Sequence, residues 1–557
     1  MPKPLVFFFL FVSLSTYSQP TVGLFLNDSL AYNGYTLFSP SSSTTSYLID
    51  NCGRVVNTWA SPFRPGSSLY LLENGNLLRT ARVGGVFNAG GSGGRLELFD
   101  WDGTLMWEFN YASPIYHQHH DIEPLPNGNI LILSWDLHDM DDAISSGRDT
   151  ALLNAQGVWS EQIIEIKPIG QDSAVIVWEW YLWDHLVQDF DSSKNNFGVV
   201  ADHPELLDLN FRAFGTGNGD WIHANSLDYN PQLDQILFSS RHLNEIYVID
   251  HSTSTAEAAT HEGGQSGMGG DLLYRWGNPM SYRRGSVADQ TLFGQHDANW
   301  IEDSLPGGGN IMVFNNGLGR PAGSYSSVDV IHPPIDSLGM YIILPTMAFG
   351  PDSAFWSYVE QPSSDMFSAR ISGARRLPNG NTLICEGTSG HFREVTLDKT
   401  LVWEYVSPIR LGGAVSQGTN ITQNDVFRAS RYGENYAAFE GRDLIPGDRI
   451  ELNPFAFDCT IFSTDSSGQD SMTTLIQRSV LLASVRVFPN PFQDHILIDN
   501  PHDEPIHMFV IDLRGRRVLE RDLEAGETRI QTVNWPPSVY MIHLTSDSQS
   551  ATIKILK

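Results

Sequence analysis

Histidines recur at one repeated place in this chain, directly before segments whose composition predicts β-strands. His117, His119 and His120 precede DIEPLPNGN, His223 precedes ANSLDYN, and His296 precedes DANW. Neutral imidazoles can bind a transition metal, attack an electrophile or carry protons. Which of these roles applies depends on whether the histidines, far apart in sequence, meet in space.

Other residue types around the histidines narrow the chemistry. Asn225 follows His223 by two positions, and Arg241 comes about one hairpin later, so it can return to the same end of a sheet. A metal site would take Asp121 and Asp297 as carboxylate ligands beside the histidines, but an arginine in the cluster disfavours the binding of a divalent cation. Arginine, histidine and an amide together favour a pocket for a tetrahedral oxyanion. For any single histidine, a structural hydrogen bond between neighbouring sheets is the alternative.

Two alternating repeats predict the elements that position these residues. Six short segments end in tryptophan, and four others open with a Gly- or Asn-Gly-containing turn, which is a strong hairpin signal. Repeated four-stranded sheets of this kind form a β-propeller, here of about six blades. Inner strands line the central channel of a propeller, so the strand ends that carry His120, His223 and His296 are expected to converge. The tryptophans are Trp59, Trp107, Trp178, Trp276, Trp356 and Trp403.

The two ends of the chain differ from the middle. Residues 1–19 contain Lys3 and a short apolar run, which predicts a signal peptide and no permanent membrane anchor. Residues 20–445 are predicted to form the propeller, 446–483 a linker, and 484–557 a small β-sandwich with period-2 alternation. The predicted fold class is therefore all-β.

Composition excludes several classes of partner. The 557-residue chain carries a formal charge of -30, which repels nucleic acid and anionic membranes. A site for an anionic substrate must therefore be a local pocket of His and Arg. The three cysteines, Cys52, Cys385 and Cys459, allow one disulfide and one free thiol, and the sequence leaves the pair open.

Longer segments carry family resemblances. The pieces HHDIEPLPNGNIL, DWIHANSLDYNPQLDQILFSSRHLNEIYVID, FGQHDANW and VFRASRYGENYAAFEG make residues 23–445 resemble the aryl-sulfate sulfotransferases, which do not use a nucleotide sulfate donor. FPNPF, DLRGRRV and the closing KILK make the C-terminal segment resemble a type A sorting domain of the type IX secretion system. An ordinary carbohydrate-binding or immunoglobulin-like sandwich is the alternative for that segment.

The resemblance implies ping-pong transfer of a sulfuryl group between a phenolic sulfate donor and a phenolic acceptor, with no cofactor or metal. It implies that His296 is the nucleophile and that His223, Asn225 and Arg241 hold the sulfuryl oxygens. Either His119 or His120 matches the remaining family histidine, and the HD context favours His120. Further substrate contacts are predicted at Thr388, Arg428 and Arg431; for the two arginines, packing at the propeller seam is the equal alternative, and for Thr388 an ordinary blade loop.

Other functions remain open from the sequence. A non-catalytic propeller displayed as an adhesin or glycan-binding module is the main alternative. A metal- or quinone-dependent propeller enzyme is a third. In each case we expect a protein exported by the type IX machinery and secreted or held at the cell surface.

Overall fold

The computed structural model describes residues 20–211, 219–336, 339–455, 459–462, 485–488, 492–500, 505–512, 516–536, 539–546 and 549–557. The predicted signal peptide and residues 463–483 of the predicted linker lie outside the described residues. What is described consists mainly of β-strands, which confirms the predicted all-β class.

The first half of the propeller region contributes fourteen strands. They are β1 (Gly23–Asn27), β2 (Gly34–Pro40), β3 (Thr45–Asp50), β4 (Val55–Ala60), β5 (Pro65–Leu71), β6 (Leu77–Arg82), β7 (Gly94–Phe99), β8 (Leu105–Asn110), β9 (Tyr116–Pro124), β10 (Ile130–His138), β11 (Val158–Ile169), β12 (Ser173–Tyr181), β13 (Leu186–Val187) and β14 (Leu207–Asp208).

The second half contributes β15 (Ala224–Asn230), β16 (Gln235–Ser240), β17 (Glu245–Asp250), β18 (Leu272–Trp276), β19 (His296–Trp300), β20 (Ile311–Asn315), β21 (Ser327–Ile331), β22 (Trp356–Tyr358), β23 (Gly373–Arg376), β24 (Thr382–Glu386), β25 (His391–Val395), β26 (Leu401–Val406), β27 (Ile409–Arg410), β28 (Gly413–Ala414) and β29 (Val426–Gly433). The described helices are short: α1 (Met140–Ser145), α2 (Thr255–Ala258) and 3-10 turns at Thr150–Leu152, Leu182–Asp184, Val200–Asp202, Pro279–Tyr282, Val287–Asp289, Ser363–Asp365, Gly387–Ser389 and Ala437–Phe439.

These strands form antiparallel groups of four. Within the described residues the groups are β29-β2-β3-β4, β5-β6-β7-β8, β9-β10-β11-β12, β15-β16-β17-β18, β19-β20-β21-β22 and β23-β24-β25-β26; a single parallel bridge between Ser67 of β5 and His120 of β9 joins the second group to the third. The N-terminal strand β1 adds to β26 in the last group, and β29 adds to β2 in the first. Both ends of the region are thus held by strands distant in sequence, and the predicted β-propeller is confirmed.

Each of the six predicted tryptophans lies on the fourth strand of its group, where it contacts the next group. The Trp59 indole N–H donates to the carbonyl of Asp100 at 2.9 Å. The Trp403 indole N–H, in the last group, donates to the carbonyl of Asn51 in the first group at 2.8 Å, so the ring of sheets is closed. The indoles of Trp107, Trp276 and Trp356 likewise donate to the carbonyls of Ser173, Pro351 and Leu397, and that of Trp178 donates to the hydroxyl of Thr253.

The Asn-Gly turns join the first and second strands of a group. Gly128, between β9 and β10, and Gly380, between β23 and β24, have φ of 83° and 88°, which glycine adopts without a steric penalty. The side chains of the first strands link neighbouring groups: Asp121 accepts from the backbone N–H of Leu227, and Asp297 accepts from that of Ala374, each at 3.0 Å. Asp121 and Asp297 are therefore equivalent in two blades, as are the histidines before them.

The segment after the propeller continues to contact its first blade. Cys52 and Cys459 form a disulfide with Cα atoms 5.7 Å apart, and Cys385 is a buried free thiol. The backbone N–H of Val55 donates to Asp448 at 3.0 Å. The disulfide therefore joins two segments that are 407 residues apart in sequence.

The C-terminal segment has its own hydrophobic core. Its two sheets have the orders β30-β31-β34 and β33-β32-β35-β36, and their inward side chains include Ile496, Ile498, Val510 and Ile542, all fully buried. Among the described residues no helix has the length and apolar character needed to span a membrane. The strands are β30 (Arg486–Phe488), β31 (His495–Asn500), β32 (Ile506–Asp512), β33 (Arg517–Leu523), β34 (Gly526–Gln531), β35 (Val539–Ser546) and β36 (Gln549–Leu556).

Candidate active site

Three of the predicted histidines meet at one end of the central channel. The rings of His120 and His223 have centroids 4.7 Å apart. Burial, followed by the nearby His223, His119, His296 and Arg241, lowers the pKa of His120 well below its ordinary value. The structure therefore brings together side chains from the blades that begin with β9, β15 and β19.

His296 is held in one tautomer by its neighbours. Its Nδ1 lies 2.8 Å from Oδ1 of Asn316 and 3.1 Å from the carbonyl of Gly294. Both oxygens can only accept a hydrogen bond. The amide group of Asn316 is oriented by its NH2, which donates to the carbonyls of Ser368 and Ile371. Nδ1 therefore carries the proton, and Nε2 presents a lone pair.

The lone pair of His296 faces a strained backbone segment. The backbone N–H of Ile371 donates to Nε2 at 3.1 Å. Ile371 has φ of 50° and Ser372 has φ of 97°, values that a β-branched residue and a serine rarely adopt. Thr388, predicted as a substrate contact, lies behind this segment, where its Oγ1 is 3.0 Å from Oγ of Ser368.

His296 is also kept neutral. Its side chain is buried, with 1% of its surface exposed, and burial, followed by the positive charge of Arg241, lowers its pKa well below the ordinary value. A neutral imidazole with a lone pair on Nε2 is the form that can attack an electrophile.

His223 is paired with a carboxylate. Its Nδ1 lies 2.6 Å from Oδ2 of Asp220, and its ring stacks on His242 with centroids 4.6 Å apart. Burial opposes ionisation of Asp220, but the charges and hydrogen bond of His223, with His242 and His119, lower its pKa to about 2. Burial lowers the pKa of His242 to about 3. His223 thus has an anionic hydrogen-bond partner in Asp220.

Asn225 and Arg241 lie beside these histidines. The amide of Asn225 donates to the carbonyl of Gln295, next to His296, at 2.7 Å. The backbone N–H of Arg241 donates to the carbonyl of His223 at 3.2 Å, so the hairpin returns Arg241 to the same end of its blade. Burial lowers the pKa of Arg241 from its ordinary value, and the guanidinium remains the charged form near neutral pH.

The sequence profile described as Arylsulfotransferase (ASST) matches residues 25–426, most of the chain. The chain belongs to the arylsulfotransferase family. A second profile, described as a secretion system C-terminal sorting domain, matches residues 486–557. This arylsulfotransferase therefore carries a type IX sorting domain, which directs it to the cell surface or the outside.

Solved structures resemble this arylsulfotransferase only weakly. A protein of unknown function from Bacteroides caccae is 9% identical, with 72% of this chain and 100% of that chain covered and a TM-score of 0.39. Virginiamycin B lyase from Staphylococcus aureus is 11% identical (69% and 88% covered, TM-score 0.31). The periplasmic gluconolactonase of Pseudomonas aeruginosa is 12% identical (67% and 96% covered, TM-score 0.33). No curated protein matches the chain.

The two remaining predicted residues of the arylsulfotransferase domain form buried ion pairs. Arg428 pairs with Asp121 at 2.7 Å and with Asp297 at 2.8 Å, the residues that follow His120 and His296 in sequence. Arg431 pairs with buried Glu394, and its guanidinium lies over the ring of Trp403 at 4.1 Å. The structure thus uses both arginines in buried contacts between blades.

A glycine-rich loop, residues 83–93, was not predicted to matter, yet it packs on the site. It connects β6 to β7, and the backbone N–H of His120 donates to Gly91 at 2.7 Å. Any Cβ on Gly91 would overlap the ring of His120, and a Cβ on Gly90 would lie 3.8 Å from the ring of His223. The run VGGVFNAGGSGG is the sequence signal that indicates such close approach.

Four more residues at the site are not singled out by the sequence. Asn316, Asp220 and His242 orient His296 and His223 through the contacts above. Glu161, on β11, contacts His119 at 2.8 Å. Polar residues of these types are common in propellers, so only the fold shows which of them reach the site.

Two groups of described residues offer three ligand atoms within 4.8 Å of one another: Asp220 with His223 and His242, and Asp271 with His185 and His261. In both groups a ring nitrogen lies 2.6–2.8 Å from a carboxylate oxygen. These are hydrogen-bond lengths, so in both groups a histidine ring and the carboxylate are hydrogen-bonded to each other.

Proposed function

We propose that the protein transfers a sulfuryl group from a phenolic sulfate to a phenolic acceptor through a covalent intermediate on His296. The observation that carries this proposal is the arrangement at His296. Nδ1 is protonated toward Asn316 and Gly294, and Nε2 keeps a lone pair that accepts from the Ile371 N–H in the free enzyme, with Arg241, His223 and His120 near the ring.

In the first half-reaction Nε2 of His296 attacks sulfur. The N–S bond forms while the S–O bond to the phenolic oxygen breaks, and the electron pair leaves with that oxygen. Arg241, Asn225 and His223 are positioned to stabilise the sulfuryl oxygens as charge moves to the leaving group. A phenol has a pKa of about 10, so a proton from His120 or His223 assists its departure.

The backbone N–H of Ile371 has a defined part in this step. It donates to Nε2 in the free enzyme, and Nε2 cannot attack sulfur while it holds this hydrogen bond. When the N–S bond forms, the N–H is released and lies within reach of a sulfuryl oxygen. The second half-reaction is the reverse, with an acceptor phenol in place of the first.

The test is phenol release from a chromogenic aryl sulfate, with and without a second phenol, for the wild type and His296→Ala. We expect acceptor-dependent release by the wild type and a loss of about 1,000-fold or more in the variant, since the nucleophile is removed. Incubation with donor alone should place one equivalent of sulfuryl group on His296. Its detection by mass spectrometry would support the intermediate directly. Equal release without acceptor would indicate a sulfatase, and no release by the folded wild type over several donors would indicate a binding module.

A further inference from the structure

Behind His120 lies a short chain of buried hydrogen-bonding groups. Nδ1 of His120 is 2.8 Å from Nδ1 of His119, and Nε2 of His119 is 2.8 Å from Oε2 of Glu161. The other carboxylate oxygen, Oε1, accepts from the backbone N–H of Ala224 at 2.8 Å. His119 and Glu161 are fully buried, and His120 is 2% exposed. The ring of His119 is fixed by stacking on Trp135, with centroids 4.0 Å apart.

This connectivity couples the protonation of the three groups. Two Nδ1 atoms at hydrogen-bond distance share one proton, so one ring donates and the other accepts. If Glu161 is protonated, it donates to His119, His119 donates to His120, and Nε2 of His120 carries a proton. If Glu161 is ionised, each hydrogen bond reverses, and Nε2 of His120 presents a lone pair. In both states the two imidazoles are neutral.

We propose that Glu161 and His119 are positioning residues that form a proton relay to His120. This inference rests on the proposed function. In the first half-reaction Nε2 of His120 gives its proton to the departing phenolate, His119 passes one to Nδ1 of His120, and Glu161 passes one to His119. The relay ends with ionised Glu161. The acceptor phenol returns the proton by the reverse path, so the balance closes over one turnover.

The charges that surround the relay fit this resting state. Burial, then Asp220 and Asp136, raises the pKa of Glu161 well above its usual value, although the Ala224 N–H opposes the shift. Burial lowers the pKa of His119 well below normal; Asp220 opposes this shift, and His223 and His117 add to it. Burial also lowers the pKa of His120 well below normal, and His223, His119, His296 and Arg241 add to that shift. These shifts favour the state in which Glu161 holds the proton, the state that the donor half-reaction needs.

Glu161→Gln tests the relay because it keeps the shape of the side chain. The amide oxygen would accept from Ala224, so the NH2 group faces His119 and cannot release a proton. We expect rates with donors and acceptors whose phenols have pKa near 7 to stay within about 3-fold of the wild type, since these need no protonation. Rates with phenols of pKa near 10 should fall about 100-fold. The plot of log rate against phenol pKa thus becomes steeper in both half-reactions.

A second variant and a matched control accompany this test. In His119→Asn the new amide can reach Nδ1 of His120 but not Glu161, so the same steepening is expected. Glu165→Gln lies on the same strand β11 but contacts Asn127, Asn129 and His251, and its plot should match that of the wild type. Unchanged slopes in folded Glu161→Gln and His119→Asn would overturn the relay, and steepening only in a His223 variant would assign the proton transfer to His223.

A spectroscopic measurement separates the relay from the proposed function. In ¹⁵N-histidine spectra Nε2 of His120 should remain protonated in Glu161→Gln at every pH, whereas in the wild type it should lose its proton to give the Nδ1–H tautomer as Glu161 ionises. This result would support the relay even if the wild type released no phenol. The absence of phenol release would contradict the proposed function but not the relay. A His120 tautomer that does not respond to Glu161→Gln would contradict the relay whatever the activity.

Discussion

At the scale of single residues, the tautomer of His296 depends on Asn316. Oδ1 of Asn316 accepts the Nδ1 proton at 2.8 Å, while its amide group donates to the carbonyls of Ser368 and Ile371. Because Gly294 remains as a second acceptor, Asn316→Ala should weaken the orientation of the ring without removing the nucleophile. We expect kcat to fall about 10- to 100-fold, measured by phenol release with the donor at saturation.

The control for this prediction is Asn310→Ala. Asn310 contacts His332 and Gly307 at the other end of the same hairpin. Its substitution should change the thermal unfolding temperature slightly and leave kcat within about 2-fold of the wild type. If both asparagine variants lose activity equally, the role of Asn316 is in folding and not in the orientation of His296.

The pH dependence of the first half-reaction follows from the surroundings of His296. The imidazole attacks in its neutral form, and burial together with Arg241 lowers its pKa well below the ordinary value. Protonation therefore begins at lower pH than for an exposed histidine with pKa about 6.5. Single-turnover phenol release from a donor with a low-pKa phenol should stay constant as pH falls from about 8 to about 6 and should decline only below that range. A midpoint near 6.5 would contradict the burial of His296 that the structure shows.

At the scale of elements, the loop of residues 83–93 positions His120 by close contact. Gly91 has φ of 77°, and a Cβ there would overlap the His120 ring. Gly91→Ala should therefore displace His120 and lower turnover of poor leaving groups about 100-fold, the contribution of a lost general acid. In Gly84→Ala, on the same loop, the new Cβ meets nothing within 4 Å, so turnover should not change. Equal activity of the two variants would show that the loop does not set the position of His120.

The sequence was most informative where the elements repeat. The tryptophan units predicted strands that the structure places fourth in each blade. The Asn-Gly turns predicted hairpins that the structure places at the first turn of three blades, between β5 and β6, β9 and β10, and β23 and β24. The histidines before inner strands were predicted to converge because the repeat fixes where equivalent residues lie, and His120, His223 and His296 do meet. This reasoning needs only the period of the chain and the geometry of a propeller.

Contacts outside the repeat could not be predicted in the same way. The placement of Glu161 against His119 depends on the third strand of a blade and on one rotamer. The partners of the two arginines of β29 could not be predicted either. Alternate side chains of a strand point to opposite faces of the sheet, and the partners of these arginines come from other blades. Arg428 pairs with Asp121 and Asp297, and Arg431 with Glu394, choices that only the assembled ring of sheets specifies.

At the scale of the whole molecule, the charge distribution explains how an acidic protein can bind an anion. The chain has a net charge of -30, and Arg428 and Arg375 are neutralised by Asp121, Asp228 and Asp297. Arg241 lies instead beside the site histidines, where burial removes water that would screen its charge. Under the proposed function, binding of a sulfate ester would depend on this local site and not on the field of the whole protein.

Closure of the propeller is reinforced by the disulfide. Cys52 follows β3 in the first blade, and Cys459 lies beyond the last propeller strand, 407 residues later. A bridge across so long a segment limits the unfolded chain, and its loss costs about 2–4 kcal/mol. We expect Cys52→Ser with Cys459→Ser to lower the free energy of unfolding by about this amount in denaturant titrations, while kcat stays within about 2-fold because the bridge is distant in the fold from His296. Cys385→Ala, which removes a buried thiol but no bridge, is the control and should lose only about 1 kcal/mol. An equal loss in the two proteins would mean that the disulfide adds nothing beyond local packing, and that β1 and β29 alone close the ring.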